Sequence, residues 1–202
     1  MPISGNATPI TPFKASNYIS HAGAEYFDAP GIFGGYTSYS TITHNEVANL
    51  PYTGILQGWG WGTDSYAQHN QITNNYIHDV MKVLADGGGI YTLSAQPDST
   101  ISGNHLQHMY GTYGGWGIYP DEGSAYFTIT GNVVRQTDKW ISMWTDSIHD
   151  NIVQHNYSDT ASMTNACANC TVSGNTTVTN GIWPADALTI MSNRGSNRLI
   201  KI

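Results

Sequence analysis

The aliphatic positions of this chain recur in a short pattern. An aliphatic residue is followed three positions later by asparagine, and two positions after that by a second aliphatic or polar residue. The clear copies are Ile42–Val47, Ile72–Ile77, Ile101–Leu106 and Ile129–Val134, and weaker copies begin at Val153 and Val172. Their asparagines are Asn45, Asn75, Asn104, Asn132, Asn156 and Asn175, so successive spacings are 30, 29, 28, 24 and 19 residues. Recurrence at periods of roughly 20–50 residues indicates stacked structural repeats.

A second marker, glycine followed by isoleucine, precedes most of these asparagines. Its copies are Gly31-Ile32, Gly54-Ile55, Gly89-Ile90 and Gly117-Ile118. The longer interval from Gly54 to Asn75 predicts an insertion in that repeat. Because the runs are short and β-branched, with no sustained 3.6-residue apolar period, they predict strands rather than helices. The predicted fold is all-β: a single-stranded, right-handed parallel β-helix (a solenoid) of about six to seven coils, forming one domain over residues 1–202.

The repeated asparagines are predicted to be structural. Asparagine at a corner tolerates left-handed backbone angles, and its amide can hydrogen-bond the same residue one coil away. We therefore expect the six asparagines to form a ladder along one corner of the solenoid.

The two ends of the chain differ. Trp183–Met191 is the best helix candidate, with Pro184 near its first turn and Gly195 after it, so we expect a short C-terminal helix that closes the last coil. The first 30 residues contain no amphipathic helix that would cover the first coil. We therefore expect either the C-terminal portion of a longer solenoid or a chain that covers an uncapped end by self-association.

Composition narrows the partners. Charged residues make up only 10% of the chain and the net charge is −7, which argues against binding to nucleic acid or to an anionic membrane. No stretch reaches the ~18 apolar residues of a membrane span. A neutral surface rich in Thr, Ser, Asn, Tyr and Gly suits secreted proteins that handle sugars, so an extracellular or periplasmic location is expected. Cys167 and Cys170 lack the context of a redox motif or a zinc site, which leaves a local disulfide or two buried thiols.

Acidic residues beside glycine-rich turns, close to aromatic residues, are the candidate chemistry. The acids are Asp86, Asp121 and Glu122, and the aromatic residues are Trp59, Trp61, Tyr91, Trp116 and Tyr119. Glycoside cleavage needs two carboxyl groups in unequal environments, and aromatic faces hold sugars by stacking. The aspartates could instead be turn formers, since Asp-Gly is a common turn pair.

Four stretches resemble bacterial β-helix glycoside hydrolases of the pectin-lyase-like superfold. They are Asn75–Val80, Asp86–Leu93, Gly117–Ser124 and Trp183-Pro184 with Ala187. The sequence is most similar to the α-fucosidase/xylanase family, glycoside hydrolase family 141, and more distantly to the β-helix β-xylosidases; the likeness covers roughly residues 30–195. The resemblance implies a parallel β-helix with a pair of acidic catalytic residues, which fall on Asp86 and Asp121.

Spacing sets a condition on that pair. If Gly89 stacks on Gly117, the two aspartates are seven positions apart along the strand direction, or about 23 Å on a straight strand. Their pairing therefore requires a corner within this segment or a loop that carries Asp86 back. Otherwise Asp121 would pair with Glu122 or with an acid of another coil, such as Asp64.

Histidines offer a further option. His44, His69, His78, His105 and His108 could take part in acid–base chemistry or bind a metal, although histidines that satisfy turns or lie on the surface are commoner. His78 follows an asparagine marker and is the one retained as a substrate-binding candidate. We expect no metal and no cofactor.

The sequence is compatible with three functions. The first is a glycoside hydrolase acting on oligo- or polysaccharide of plant or microbial origin. The second is a non-catalytic β-helix that binds carbohydrate, adheres or forms filaments. The third is a polysaccharide lyase, which would need clustered carboxylates to bind calcium and a basic residue as the base. The lyase is the least favoured, because the chain has only seven Lys and Arg and most of them lie near the C-terminal end.

Overall fold

The computed structural model describes residues 16–62, 64–111 and 113–195. Its strands form three parallel sheets, in which each strand pairs with strands three positions earlier and later in chain order. Six complete coils of three strands follow one initial strand, so the predicted parallel β-helix is confirmed.

The strands are as follows. The first sheet contains β1 (Tyr18–Ser20), β4 (Glu46–Ala48), β7 (Tyr76–Val80), β10 (His105–Met109), β13 (Val133–Arg135), β16 (Tyr157–Ser158) and β19 (Thr176–Thr177). The second contains β2 (Ile32–Gly34), β5 (Ile55–Gln57), β8 (Gly87–Thr92), β11 (Gly115–Pro120), β14 (Ile141–Met143) and β17 (Met163–Asn165). The third contains β3 (Thr41–Thr43), β6 (Gln71–Thr73), β9 (Ala95–Ser102), β12 (Ala125–Thr130), β15 (Ile152–Gln154) and β18 (Thr171–Ser173).

The asparagine ladder lies at the corner between the third and first sheets. Each side-chain amide donates to the carbonyl oxygen of the equivalent asparagine one coil further along, as in Asn104 Nδ2 to Asn132 Oδ1 at 2.9 Å. The bonds run from Asn45 through to Asn175, and Asn17 adds a first rung that the pattern did not reveal. Because the asparagines from Asn45 to Asn156 are buried, the ladder satisfies polar groups that water cannot reach.

The left-handed backbone conformation expected at these asparagines was wrong. The left-handed residue at the corner is the one before the ladder position, as at His44 (φ 56°) and Gly103 (φ 66°). None of the six predicted asparagines has positive φ. The preceding residue makes the turn, which leaves the asparagine free to direct its amide along the solenoid axis.

The Gly-Ile markers have a packing role at the start of the second sheet. A Cβ added to Gly54 would lie 2.5 Å from Ile77 Cγ2, and one added to Gly89 would lie 2.7 Å from Leu106 Cδ2. Gly31 and Gly117 meet Val47 and Val134 of the first sheet in the same way. Glycine is therefore needed where the second sheet approaches the aliphatic column of the first. The isoleucines that follow these glycines pack in the same core.

Two further predictions concern connections. The expected insertion after Gly54 is present as the long connection between β5 and β6, which carries Trp59 and Trp61. The expected helix is present as α1 (Ala185–Ser192), but it does not close the last coil. It contacts β13 on the outside of the first sheet, and Gly195 N donates to Asn74 O at 2.9 Å. The segment after the last strand therefore runs back along the solenoid.

Two smaller features complete the fold. Cys167 and Cys170 form a disulfide in the last coil, which selects one of the two alternatives left open by the sequence. No helix within the described ranges is long and apolar enough to cross a membrane.

Candidate functional site

A cleft of about 890 Å³ lies on the outer face of the second sheet. Its floor contains one column of aligned residues, in which the strand register places Phe33 beside Leu56, Leu56 beside Tyr91 and Tyr91 beside Tyr119. Leu56, Tyr91 and Tyr119 form a buried apolar cluster with Leu93 and Trp116, separate from the interior core. The floor is therefore a second apolar layer that faces outward.

Asp86 and Asp121 enter this cleft from opposite ends of the strands. Asp86 directly precedes β8, in a left-handed conformation with φ 57°, and Asp121 directly follows β11. Gly114 packs so closely on Asp86 that an added Cβ would lie 3.0 Å from the Asp86 backbone nitrogen. Asp86 is exposed, whereas Asp121 is 5% exposed. The two carboxyl groups therefore have the unequal environments that paired acid chemistry needs.

A stacked tyrosine pair spans the interval between the two acids. The Tyr91 and Tyr119 rings lie 5.0 Å apart at an interplanar angle of 10°. The Tyr91 hydroxyl donates to Asp121 Oδ2 at 2.7 Å, and the Tyr119 hydroxyl donates to Asp86 Oδ1 at 3.3 Å. The two acids are therefore linked through adjacent stacked rings, and each carboxylate accepts from one phenol hydroxyl.

The straight-strand separation of about 23 Å therefore does not apply to the carboxyl groups. Asp86 lies in a turn before the strand, and the tyrosine side chains cover part of the strand length between the acids. Glu122 also lines the cleft, whereas the alternative partner Asp64 does not.

Both tyrosines are held in their protonated form. Burial, the hydrogen bond to Asp121 and the negative charge of that carboxylate raise the pKa of Tyr91 far above its ordinary value. Burial and the charges of Asp121 and Asp86 raise the pKa of Tyr119 in the same direction. The two phenols therefore act as hydrogen-bond donors to the carboxylates and not as bases.

The aromatic loop after β5 forms one wall of the cleft. Trp59 and Trp61 are 43% and 56% exposed, and their rings lie 5.6 Å apart. The loop reaches the Asp121 turn, because a Cβ added to Gly123 would lie 2.6 Å from Gly62 O. Gly123 has φ 75°, so glycine is required there both for the backbone angle and for the contact.

Three residues of the site were missed by sequence reasoning. Trp144 Nε1 donates to Asp121 Oδ1 at 2.7 Å, and since an indole N–H can only donate, that oxygen must accept. The Tyr52 hydroxyl donates to the Asp86 carbonyl oxygen at 2.9 Å. Lys139 lines the cleft and lies 5.3 Å from the Trp116 ring centroid. Stacking the coils in register would have placed Trp144 beside the Asp121 turn.

His78 does not share the cleft with the other candidates. It lies in the first sheet, where its Nδ1 is 2.6 Å from Asp79 Oδ2 and its Nε2 is 3.5 Å from Glu46 Oε1. Burial raises the pKa of Asp79, but hydrogen bonds from His78 and Tyr110 outweigh it and lower that pKa overall.

His44, His69, His105 and His108 do not line the cleft either. Across the parts of the chain that the structure describes, no group of three or more His, Cys, Asp or Glu side chains is arranged to hold a metal ion.

Comparison with known proteins supports the fold. The chain is similar to a solved structure named "Glycoside hydrolase", with 24% sequence identity and a TM-score of 0.61. The match covers 90% of this chain and 26% of the other, so the chain spans about a quarter of that protein's length. At this identity the likeness shows a shared fold. No family model matches the chain, and no curated protein matches it, so the resemblance to family 141 stays a prediction.

Proposed function

We propose that this protein is a carbohydrate-active β-helix that hydrolyses glycosidic bonds with Asp86 and Asp121. The observation that carries the proposal is that both carboxylates accept from the stacked Tyr91–Tyr119 pair, in an open cleft walled by Trp59, Trp61 and Trp144. Carboxyl groups about 5–5.5 Å apart serve retaining enzymes, and separations of about 6.5–9.5 Å serve inverting ones. The structurally similar protein is named a glycoside hydrolase, which agrees with this chemistry.

The environments of the two acids suggest their roles. Asp121 is buried and accepts hydrogen bonds from Tyr91 and Trp144, an arrangement suited to an ionised carboxylate that acts as nucleophile or base. Asp86 is exposed and carries one longer hydrogen bond from Tyr119, so it is the carboxyl group able to exchange a proton with the leaving oxygen.

The proposal is tested with a panel of aryl glycosides and neutral polysaccharides, by following release of phenol or reducing ends. Asp121→Asn should abolish activity on every substrate. Asp86→Asn should abolish activity on polysaccharide but retain part of it on aryl glycosides with good leaving groups, because these need no proton donor. Asp98→Asn, which changes an exposed acid outside the cleft, should behave as the unaltered protein.

Activity that survives in both cleft variants would overturn the assignment of the pair. A second candidate is a non-catalytic carbohydrate-binding protein, which is favoured by the exposed rings of Trp59 and Trp61. Binding of a glycan without hydrolysis by the unaltered protein would select that function.

A further inference from the structure

The floor of the cleft continues on both sides of the acid pair. Phe33 and Leu56 lie on the two coils before the Tyr91 coil, and Ser142 and Thr164 follow on the two coils after Tyr119. At about 4.8 Å per coil, the floor is about 24 Å long, parallel to the solenoid axis. Asp86 and Asp121 belong to the third and fourth coils of the six, so the acids lie near its middle.

Aromatic residues widen the cleft at its first two coils. A second cavity of about 290 Å³ is lined by Phe33, Gly35, Tyr36 and Trp59, and it shares Phe33 and Trp59 with the main cleft. The Phe33 and Trp59 rings meet edge to face at 5.9 Å, and Phe33 and Tyr36 are 55% and 61% exposed. Such exposed rings, which interior packing does not require, form a platform on which flat apolar ring faces can stack.

Charge limits what can lie in this groove. Its acidic lining residues include Asp28, Asp86, Asp121 and Glu122, against a single cation, Lys139, among the described residues that line it. A polyanionic chain would meet like charge near the centre of the cleft. A neutral chain would meet hydrogen-bonding groups and ring faces.

We infer that the cleft binds an internal stretch of a neutral polysaccharide, lying along the solenoid axis with sugar rings on both sides of the acid pair. Phe33 and Trp59 hold the rings on the side of the first coils. This inference deepens the proposed function. It rests on that function for one consequence: the polysaccharide is cleaved at an internal bond and not at its end.

The binding part is tested without catalysis, in the Asp121→Asn variant. Calorimetry would be run with neutral β-linked gluco-, xylo- and manno-oligosaccharides from disaccharide to hexasaccharide, and with oligogalacturonides of the same lengths as the anionic probe. Affinity for one neutral series should rise with each added sugar over several units. The oligogalacturonides should bind more weakly than that series.

The platform is tested by single substitutions in the same background. Phe33→Ala should weaken binding of the hexasaccharide by about tenfold and leave disaccharide binding unchanged, because Phe33 is two coils from the nearer acid. Tyr66→Ala, which removes an aromatic ring that is 87% exposed and does not line the cleft, is the matched control and should change neither.

The cleavage part is tested with the unaltered protein on end-labelled hexasaccharide. Products of intermediate length should appear first. Release of single sugars only, or affinity that does not depend on the length of the oligosaccharide, would overturn the proposal that the cleft binds an internal stretch of polysaccharide. Hydrolysis by the acid pair would still stand. Length-dependent binding without any hydrolysis would support the groove and refute the proposed enzyme. Tighter binding of oligogalacturonides would overturn the neutral substrate class.

Discussion

Asp121 is held by hydrogen-bond donors from the coils on either side of its own. Tyr91 belongs to β8 and Trp144 follows β14, so the carboxylate of Asp121 on the fourth coil is fixed by the third and fifth coils. The tyrosines stay protonated because burial and the carboxylates raise the pKa of each. The orientation of Asp121 is therefore a property of the stack and not of its own turn.

Replacing Trp144 by phenylalanine tests this arrangement. The change removes the 2.7 Å hydrogen bond to Asp121 and keeps an aromatic ring. Hydrogen bonds to charged groups contribute about 1.5–3 kcal/mol, so kcat should fall by about tenfold to a hundredfold with a smaller change in KM. Trp183→Phe, at a tryptophan that lies against Arg135 and does not line the cleft, is the control. Equal kinetics for the two variants would contradict a positioning role.

The asparagine ladder makes a second prediction at this scale. Asn104 accepts from the Asn75 backbone and side-chain nitrogens and donates to Ile72 O and Asn132 Oδ1, all in buried surroundings. Asn104→Ala leaves these groups unsatisfied, and we expect a loss of about 3–4 kcal/mol in the free energy of unfolding, measured with urea. The half-buried Asn175 ends the described ladder, so Asn175→Ala should cost about 1 kcal/mol. Similar losses at both positions would contradict the account.

At the scale of elements, the helix and the segment after it cover one face of the first sheet. Arg194 lies over the Tyr76 ring at 4.0 Å, and the Tyr76 ring stacks on His105 at 5.1 Å. His105 is 1% exposed, and neither of its ring nitrogens has a hydrogen-bond partner among the described residues. Burial and the charges of Arg194 and Arg135 lower the pKa of His105 to about 3.

This buried histidine predicts a pH dependence of stability. The pKa of His105 is about 6.5 when the chain is unfolded and about 3 when it is folded, so between these values only the unfolded chain binds the proton. The neutral, buried His105 therefore contributes stability that is fully present above pH 6.5 and is lost as the pH falls towards 3. Between pH 7 and about pH 4.5 we expect His105 to account for a loss of about 2–3 kcal/mol.

Denaturant unfolding of His105→Gln at the two pH values measures this contribution. The variant should lose correspondingly less stability on acidification than the unaltered protein. His155→Gln, at an exposed histidine, should keep the full pH dependence. A pH dependence that is the same in His105→Gln and in the unaltered protein would rule out the role given to the buried ring.

At the scale of the whole molecule, each coil contacts only its neighbours, so stability should vary along the axis. The strands of the third and fourth coils are buried on most positions, whereas β18 and β19 in the last coil are largely exposed. The cleft lies over the central coils, where opening of the stack is least favourable. The acids are thereby carried by the most constrained part of the fold.

Hydrogen exchange followed by mass spectrometry checks this gradient. Backbone amides of β8 and β11 should exchange slowest, and those of β18 and β19 should exchange fastest, because the terminal coil loses contacts on one side only when it opens. Uniform protection along the axis would show instead that the solenoid opens as a single unit.

Much of the architecture was predictable because it is periodic. The spacing of Asn45 and its successors predicted the stacking and the ladder, and the Gly-Ile markers predicted the alignment of the second sheet. Positions that repeat in every coil contact the equivalent positions of the adjacent coils, so their spacing can be recognised from the sequence. Asp86 and Asp121 were proposed from glycine turns and from resemblance, and the structure places both in one cleft.

The chain pattern alone determined the coil, its period and the positions of the ladder asparagines, since these depend on contacts between equivalent positions. Tertiary structure decided the contacts between positions that are not equivalent in successive coils. The left-handed residue before each ladder asparagine, the helix that lies beside the first sheet, the separation of His78 from the cleft and the hydrogen bond from Trp144 to Asp121 all depend on where turns direct side chains. Such directions follow from packing between elements, which has no periodic signature in the sequence.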